Sequence, residues 1–258
     1  MAQAFDARRM AEAVAEVRRR MEQAAKTAGR DPADILLCAV CKTRTPDTIR
    51  DSAALPVDLF GENHMQELVT NSDAGAYLNK PVHFIGHLQT NKVKKVVGRA
   101  DIIQSVDSLR LLEAIDKEAG KQALRQEILL ELNIGGEVTK TGAAAEELWP
   151  LLEAAAGMRN VRVRGLMAIP PAFDNGPESR RYFAMLRELL EQAKARKYEN
   201  ADLDILSMGM SGSYEAAILE GATLVRVGTA IYGERDYPNR GSLPNSKKTV
   251  ERRPFCTF

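Results

Sequence analysis

Residues 5–27 place Met10, Val14, Val17, Met21 and Ala25 at helical spacing and fill the other faces with Arg and Glu, which predicts an amphipathic helix. Gly29 and Pro32 end it. From there, short apolar runs alternate with longer stretches of helical periodicity. The runs lie at Ile35–Val40, Val57–Phe60, Val82–Ile85, Ile102–Val106, Ile128–Leu132, Val161–Met167, Leu203–Leu206 and Leu224–Val227, and their β-branched and large apolar residues predict strands. Helical patterns separate them, among them Leu109–Ala119, Arg180–Ala195 with Pro177 near its start, and Tyr214–Glu220. Pro150 interrupts the Glu146–Ala156 pattern, where a proline removes a hydrogen bond, so a kink or a late start is expected. After Tyr237 the periodicity is lost, and residues 238–258 are expected to form a loosely ordered tail.

Strands alternating with helices argue a parallel sheet, and eight such units without an internal linker suit a closed barrel. The expected architecture is one domain over residues 1–237, an α/β fold of the single (β/α)8 TIM type with an extra N-terminal helix. A doubly wound open sheet is the alternative. Composition agrees with a packed globular chain, since 45% of the 258 residues are hydrophobic. The 36 Lys and Arg balance 35 Asp and Glu to a formal net charge of +1, so nothing draws the chain toward nucleic acid or an anionic membrane. No apolar run approaches the roughly 18 residues of a membrane span, and the N-terminus lacks a signal-peptide pattern. Three Cys cannot build a disulfide framework, which favours a reducing, cytoplasmic setting.

The first strand ends in Cys41-Lys42-Thr43-Arg44, just before Pro46 opens a helix. A lysine at the C-terminal end of a barrel strand stands on the face where barrel active sites form. There it can lose solvation and become the amine of a Schiff base, although a solvated lysine flanking a strand is the commoner case. The other end of the chain adds weight. Ser207-Met208-Gly209-Met210-Ser211-Gly212-Ser213 follows the seventh strand, and Arg226-Val227-Gly228-Thr229-Ala230 spans the end of the eighth. Loops at these positions commonly hold a phosphate, because small residues let backbone N–H groups approach the anion and hydroxyls add donors. A Schiff-base lysine facing a phosphate cradle points to pyridoxal 5′-phosphate (PLP) or to a phosphorylated aldehyde or ketone.

Several blocks carry a resemblance. They are Ala39-Val40-Cys41-Lys42-Thr43, Phe60-Gly61-Glu62-Asn63, His83-Phe84-Ile85-Gly86-His87-Leu88-Gln89-Thr90-Asn91-Lys92, Gly165-Leu166-Met167, Leu206-Ser207-Met208-Gly209-Met210-Ser211 and Val225 to Tyr237. In this order they resemble the YggS/PROSC family of PLP homeostasis proteins over about residues 5 to 237. The resemblance implies a barrel like the N-terminal domain of alanine racemase, without the second domain that completes the racemase site. It implies PLP held as an internal aldimine on Lys42, in a protein of intracellular PLP homeostasis without established turnover. It also implies Ser211, Gly228 and Thr229 at the phosphate with the Met210 backbone beside them, Arg226 facing the pyridine nitrogen, and Asn63 lining the pocket. Cys41 stands where the family commonly has a serine, and Ser211-Gly212-Ser213 replaces a more usual Ser-Asn-Asp.

A guanidinium at the pyridine nitrogen disfavours a second positive charge there, so the ring would stabilise a carbanion poorly. That suits racemisation, or holding and releasing PLP, better than transamination. Without the resemblance, Arg226 reads as a strand-end arginine paired with Glu220 or Glu234. Three functions compete: a PLP carrier or buffer, a PLP-dependent racemase-type enzyme, and an aldolase-type barrel that uses Lys42 without PLP. The carrier is preferred. A monomer is expected, with PLP-dependent apoenzymes as recipients. Cys38-Ala-Val-Cys41 fits the C-x-x-C pattern, but residues three apart in a strand face opposite ways, so no metal or local disulfide is expected. His83 and His87 lack the glutamate of a zinc-protease helix. Trp149 and the Tyr182, Phe183, Met185 and Leu186 cluster read as helix-to-barrel packing.

Overall fold

The computed structural model describes residues 7–137, 141–171 and 179–233. Eight parallel strands close into a barrel in chain order: β1 (Leu36–Val40), β2 (Leu59–Glu62), β3 (Val82–Phe84), β4 (Ile102–Val106), β5 (Gln126–Leu132), β6 (Val161–Ala168), β7 (Ala201–Ser207) and β8 (Leu224–Val227). Closure is made by β8 on β1, with Cys38 opposite Arg226 and Ala39 opposite Val227. All eight runs expected to be strands are strands, and the open-sheet alternative is excluded. Helices follow the strands: α1 (Ala7–Thr27) precedes the barrel, then come α2 (Pro46–Ala53), α3 (Met65–Asp73), α4 (Val93–Val96), α5 (Leu109–Lys121), α6 (Leu148–Ala156), α7 (Arg180–Arg196), α8 (Tyr214–Leu219) and α9 (Thr229–Tyr232).

The alternation of side chains along each strand divides the core into two layers. Leu37, Ala39 and Cys41 point outward into the layer beneath the helices, whereas Cys38 and Val40 point into the barrel with Leu59, Ile85, Leu129, Met167 and Leu224. Both faces being covered, the strands read as nearly continuous apolar runs. The extra N-terminal helix has a structural reason. At six and four residues, α8 and α9 are too short to cover the barrel where β8 meets β1. α1 lies on them and on α2, burying Met10, Val14, Val17, Met21, Ala24 and Ala25.

Pro150 falls in the first turn of α6, where its missing N–H would have no partner in any case, and a short 3-10 turn over Ala145–Glu147 leads into the helix. The expected late start is what the chain adopts. Trp149 packs partly buried under the Arg196 guanidinium, 3.7 Å from the ring centroid. Phe183 and Leu186 are buried as expected, but Met185 is 46% exposed. On α7 it falls on the solvent side of the stripe formed by Phe183, Leu186 and Leu190. Pro177, Glu234 and the 238–258 tail lie outside the described residues.

Candidate active site

The C-terminal ends of β1, β7 and β8 form a cleft of about 260 Å³ lined by Val40, Lys42, Arg44, Met210, Ser211, Gly212, Gly228, Thr229, Tyr232 and Gly233. Strand parity aims Lys42 there. Cys38 and Val40 face the barrel interior, so Lys42, two residues on, continues that inward row at its mouth. A tight turn then takes the chain to α2. Thr43 adopts φ +66°, an uncommon conformation for a β-branched residue. Its N–H donates to Glu67 Oε1 on α3 at 3.0 Å, and Thr45 caps α2 through its hydroxyl, which accepts the Thr48 N–H at 3.3 Å.

The opposite wall is built from two loops. Gly209 turns the first at φ +88°, and a Cβ there would stand 2.6 Å from Ala217 Cβ. The Ser213 hydroxyl accepts the Met210 N–H at 3.2 Å and steadies the loop. Ser211 presents its hydroxyl to the second loop, where Oγ accepts the N–H groups of Gly228 and Ala230, each at 3.2 Å. Two backbone donors thus hold the Ser211 hydroxyl, and Thr229 lines the cleft beside it, so the wall is made of the small and hydroxyl-bearing residues that suit an anion. A Cβ on Gly228 would lie 3.4 Å from Val40, an ordinary contact, so β8 and β1 adjoin at this level without requiring a glycine.

The described charges of the cleft have one sign. Among the described residues its lining includes Lys42 and Arg44 and no carboxylate. Arg44 stacks over the Tyr232 ring at 5.6 Å and donates to the Gly233 carbonyl at 3.4 Å. Tyr232 is buried, its hydroxyl 3.0 Å from Ser52 Oγ, and burial pushes its phenol well above the ordinary range. Val40, Arg44, Gly212, Tyr232 and Gly233 thus join a lining of which Lys42, Met210, Ser211, Gly228 and Thr229 were expected. Nothing in the local sequence marked Arg44 or Tyr232 as cleft residues; the turn after Lys42 and the end of α9 bring them there.

Two expected site residues lie elsewhere. Asn63 follows β2 and lines a neighbouring cavity of about 170 Å³ with His64, Phe84, His87, Gln89 and Lys92. Its Oδ1 is buried and has no hydrogen-bond partner among the described residues. Arg226 is not among the residues of the Lys42 cleft. It points into the barrel below it, 3% exposed, and donates to Ser207 Oγ at 2.6 Å and to the Ala168 carbonyl at 3.0 Å. Burial lowers its pKa to about 10, an effect that the Glu131 carboxylate opposes. The alternative pairing with Glu220 is not formed, because Glu220 accepts from Arg180 at 2.7 Å and from Arg187 at 2.9 Å.

Cys41 faces away from the cleft. Its thiol is buried and donates to Glu62 Oε1 at 3.1 Å, a carboxylate oxygen that also accepts from Asn71 at 2.7 Å and Tyr77 at 3.0 Å. Burial, then the Glu62 charge, pushes the thiol well above its ordinary 9.0, so it stays protonated beside Lys42. Cys38 belongs to the interior layer and Cys41 to the outer one, on opposite faces of β1. Among the described residues no group of His, Cys, Asp and Glu is arranged to hold a metal, and no helix is long and apolar enough to cross a membrane.

The alanine racemase N-terminal domain matches residues 13–236. The pyridoxal phosphate homeostasis protein of Aquifex aeolicus is 42% identical over 226 residues, spanning 88% of this chain and 98% of that one. The Pseudomonas aeruginosa protein of the same name is 41% identical over 228 residues, 88% of this chain and 96% of that one. The chain belongs to the pyridoxal phosphate homeostasis protein family. Among solved members of similar shape is PipY of Synechococcus elongatus with PLP bound, 32% identical with a TM-score of 0.72 over 83% of this chain and all (100%) of that one. A Bifidobacterium adolescentis protein is 33% identical with a TM-score of 0.84 over 89% of this chain and 98% of that one. The alanine racemase of Streptomyces lavendulae, 18% identical, shares the fold with a TM-score of 0.71, covering 91% of this chain but 59% of the racemase.

Proposed function

We propose that this protein binds PLP in the Lys42 cleft, retains it covalently through the Lys42 amine, and serves intracellular PLP homeostasis as a carrier or buffer. The observation that carries the reading is the cleft itself: a primary amine at a strand end, facing Ser211, Gly228, Thr229 and Ala230, with a second cation in Arg44 and no acid among the described residues of the lining. A family whose members carry PLP homeostasis in their name, and PLP bound in PipY, support it.

The residues fit the group. The Ser211 and Thr229 hydroxyls and the Met210 backbone would take the phosphate, the Gly228 and Ala230 N–H groups steadying the Ser211 hydroxyl and Arg44 adding charge. Asn63, whose Oδ1 lacks a partner among the described residues, would offer an acceptor from the neighbouring cavity, and Arg226 would face the ring nitrogen from below. PLP brings an aldehyde that condenses with amines and a ring that can take up negative charge. A guanidinium at the ring nitrogen holds that nitrogen unprotonated and weakens this capacity.

Retention rather than turnover is supported by the described residues around Lys42. Racemisation needs a proton donor and acceptor on each face of a substrate, and Lys42 supplies one. Tyr232, the tyrosine among the described residues of the lining, engages Ser52 and is held protonated by burial. The racemase reading draws on the shared fold. We further propose a cytoplasmic monomer organised as one barrel over residues 1–237, which passes PLP to apoenzymes. The buried free thiols of Cys38 and Cys41 support a reducing compartment.

The test is borohydride reduction of the PLP-loaded chain followed by peptide mapping. A pyridoxyl adduct on Lys42, lost in Lys42→Ala, is the expected result. Capture at another lysine, or failure to take up PLP at all, would overturn the assignment.

A further inference from the structure

Below the cleft, the barrel interior carries a line of polar side chains that crosses it from β8 to β3. Arg226 Nη1 donates to Ser207 Oγ at 2.6 Å, Ser207 Oγ lies 2.6 Å from Gln104 Oε1, and Gln104 Nε2 lies 2.7 Å from His83 Nδ1. All four residues are buried. The direction of every bond follows from the end groups. A guanidinium only donates, so Ser207 Oγ accepts from it and sends its single hydrogen to Gln104 Oε1. That places the Gln104 amide nitrogen toward His83, and an NH₂ group only donates, so His83 Nδ1 must accept and its proton sits on Nε2. Burial, which lowers the His83 pKa to about 3, agrees with a neutral ring.

The chain is unusual for what it leaves out. A charge almost fully removed from water is normally met by a carboxylate at contact distance. Among the described residues Arg226 has neutral partners, a hydroxyl and the Ala168 carbonyl, although Glu131 acts on it at longer range. Two of its five N–H groups are thereby occupied inside the barrel, and its charge is not cancelled locally.

We propose that Ser207, Gln104 and His83 are positioning residues for Arg226, fixing which face of its guanidinium remains for the ring nitrogen of bound PLP. The inference rests on the PLP reading above and adds residues that touch neither the phosphate loops nor Lys42. Gln104 is central: an amide transmits orientation without neutralising the guanidinium, whereas a carboxylate at the same place would draw the charge toward itself and leave His83 Nδ1 without a donor.

The test compares two ligands on the full-length protein: PLP, and its analogue with carbon in place of the ring nitrogen. Ser207→Ala should weaken PLP about tenfold, the scale of one lost charge-assisted bond, while changing the carbon analogue less than about twofold. The absorption maximum of bound PLP should move in the same variant, and Ser207→Thr, which restores a hydroxyl, should recover affinity and spectrum. Gln104→Glu, similar in size, should show the same selective loss, which keeps the inference testable should Ser207→Ala fail to fold. Equal weakening of both ligands, or of neither, would overturn it. Wild-type protein that binds neither ligand would overturn the PLP reading itself.

Discussion

Removing the Ser211 hydroxyl separates the anion cradle from the fold. In the structure Ser211 Oγ receives the Gly228 and Ala230 N–H groups, each at 3.2 Å, toward the long end for such bonds. Ser211 is only partly buried, so in Ser211→Ala water can take over both donors. Each replaced bond contributes about 0.5–1.5 kcal/mol to folding at most, and solvation returns much of that. A loss near 1 kcal/mol lowers the melting temperature of a chain this size by about 2–4 °C. With a phosphate present the same hydroxyl becomes a donor to a charged group, worth about 1.5–3 kcal/mol, or tenfold to hundredfold in affinity. Adding Thr229→Ala should deepen the loss by less than the sum, because the two hydroxyls serve one anion. The assay is equilibrium binding of PLP and of pyridoxal, which lacks the phosphate, alongside melting without ligand. Unchanged PLP affinity would remove Ser211 from the cradle. An equal loss for pyridoxal would show that the hydroxyl acts on something other than the phosphate.

Two further outcomes follow from the barrel interior. Burial keeps His83 neutral down to about pH 3, whereas the unfolded chain takes up the proton near the ordinary 6.5. Between these values the unfolded state binds more protons, so the contribution is complete above about pH 6.5 and falls as pH drops, by up to about 1.4 kcal/mol per unit. His83→Asn, whose amide oxygen can accept from Gln104, should flatten that limb in urea titrations; an unchanged slope would refute the assignment. Gly165→Ala should destabilise by more than about 4 kcal/mol, since a Cβ at its φ of +152° would stand 1.8 Å from the Ile205 carbonyl oxygen. A melting temperature within a few degrees of wild type would mean that the β6–β7 pairing can shift to admit it.

The barrel was legible because its determinants are local and repeat. Each strand run is apolar on both faces and each helix on one, so period and order specify a β-α alternation, and the first run's alternation already turned Cys38 and Cys41 to opposite sides. Lys42 and the two small-residue loops were legible for the same reason, as chemistry placed at strand ends. Met185 shows the limit of pattern reading, since one residue's offset on α7 decides whether it meets the barrel or water. β5 begins at Gln126, ahead of its apolar run, because the Gln126 side chain accepts from Gly98 and donates to the Ala100 carbonyl, both on a different segment.

What the sequence by itself determined is the order of elements and the identity of the residues at the barrel mouth, because hydrophobic period, turn residues and strand ends act over a few positions. What only the tertiary structure decided is who meets whom across the barrel. Arg44 reaches Tyr232, Glu62 gathers Cys41, Asn71 and Tyr77, and Arg226 is oriented through Ser207 and Gln104 toward His83. These contacts join residues as much as 188 positions apart, as Arg44 and Tyr232 are. They depend on strand stagger and closure, which no local pattern encodes.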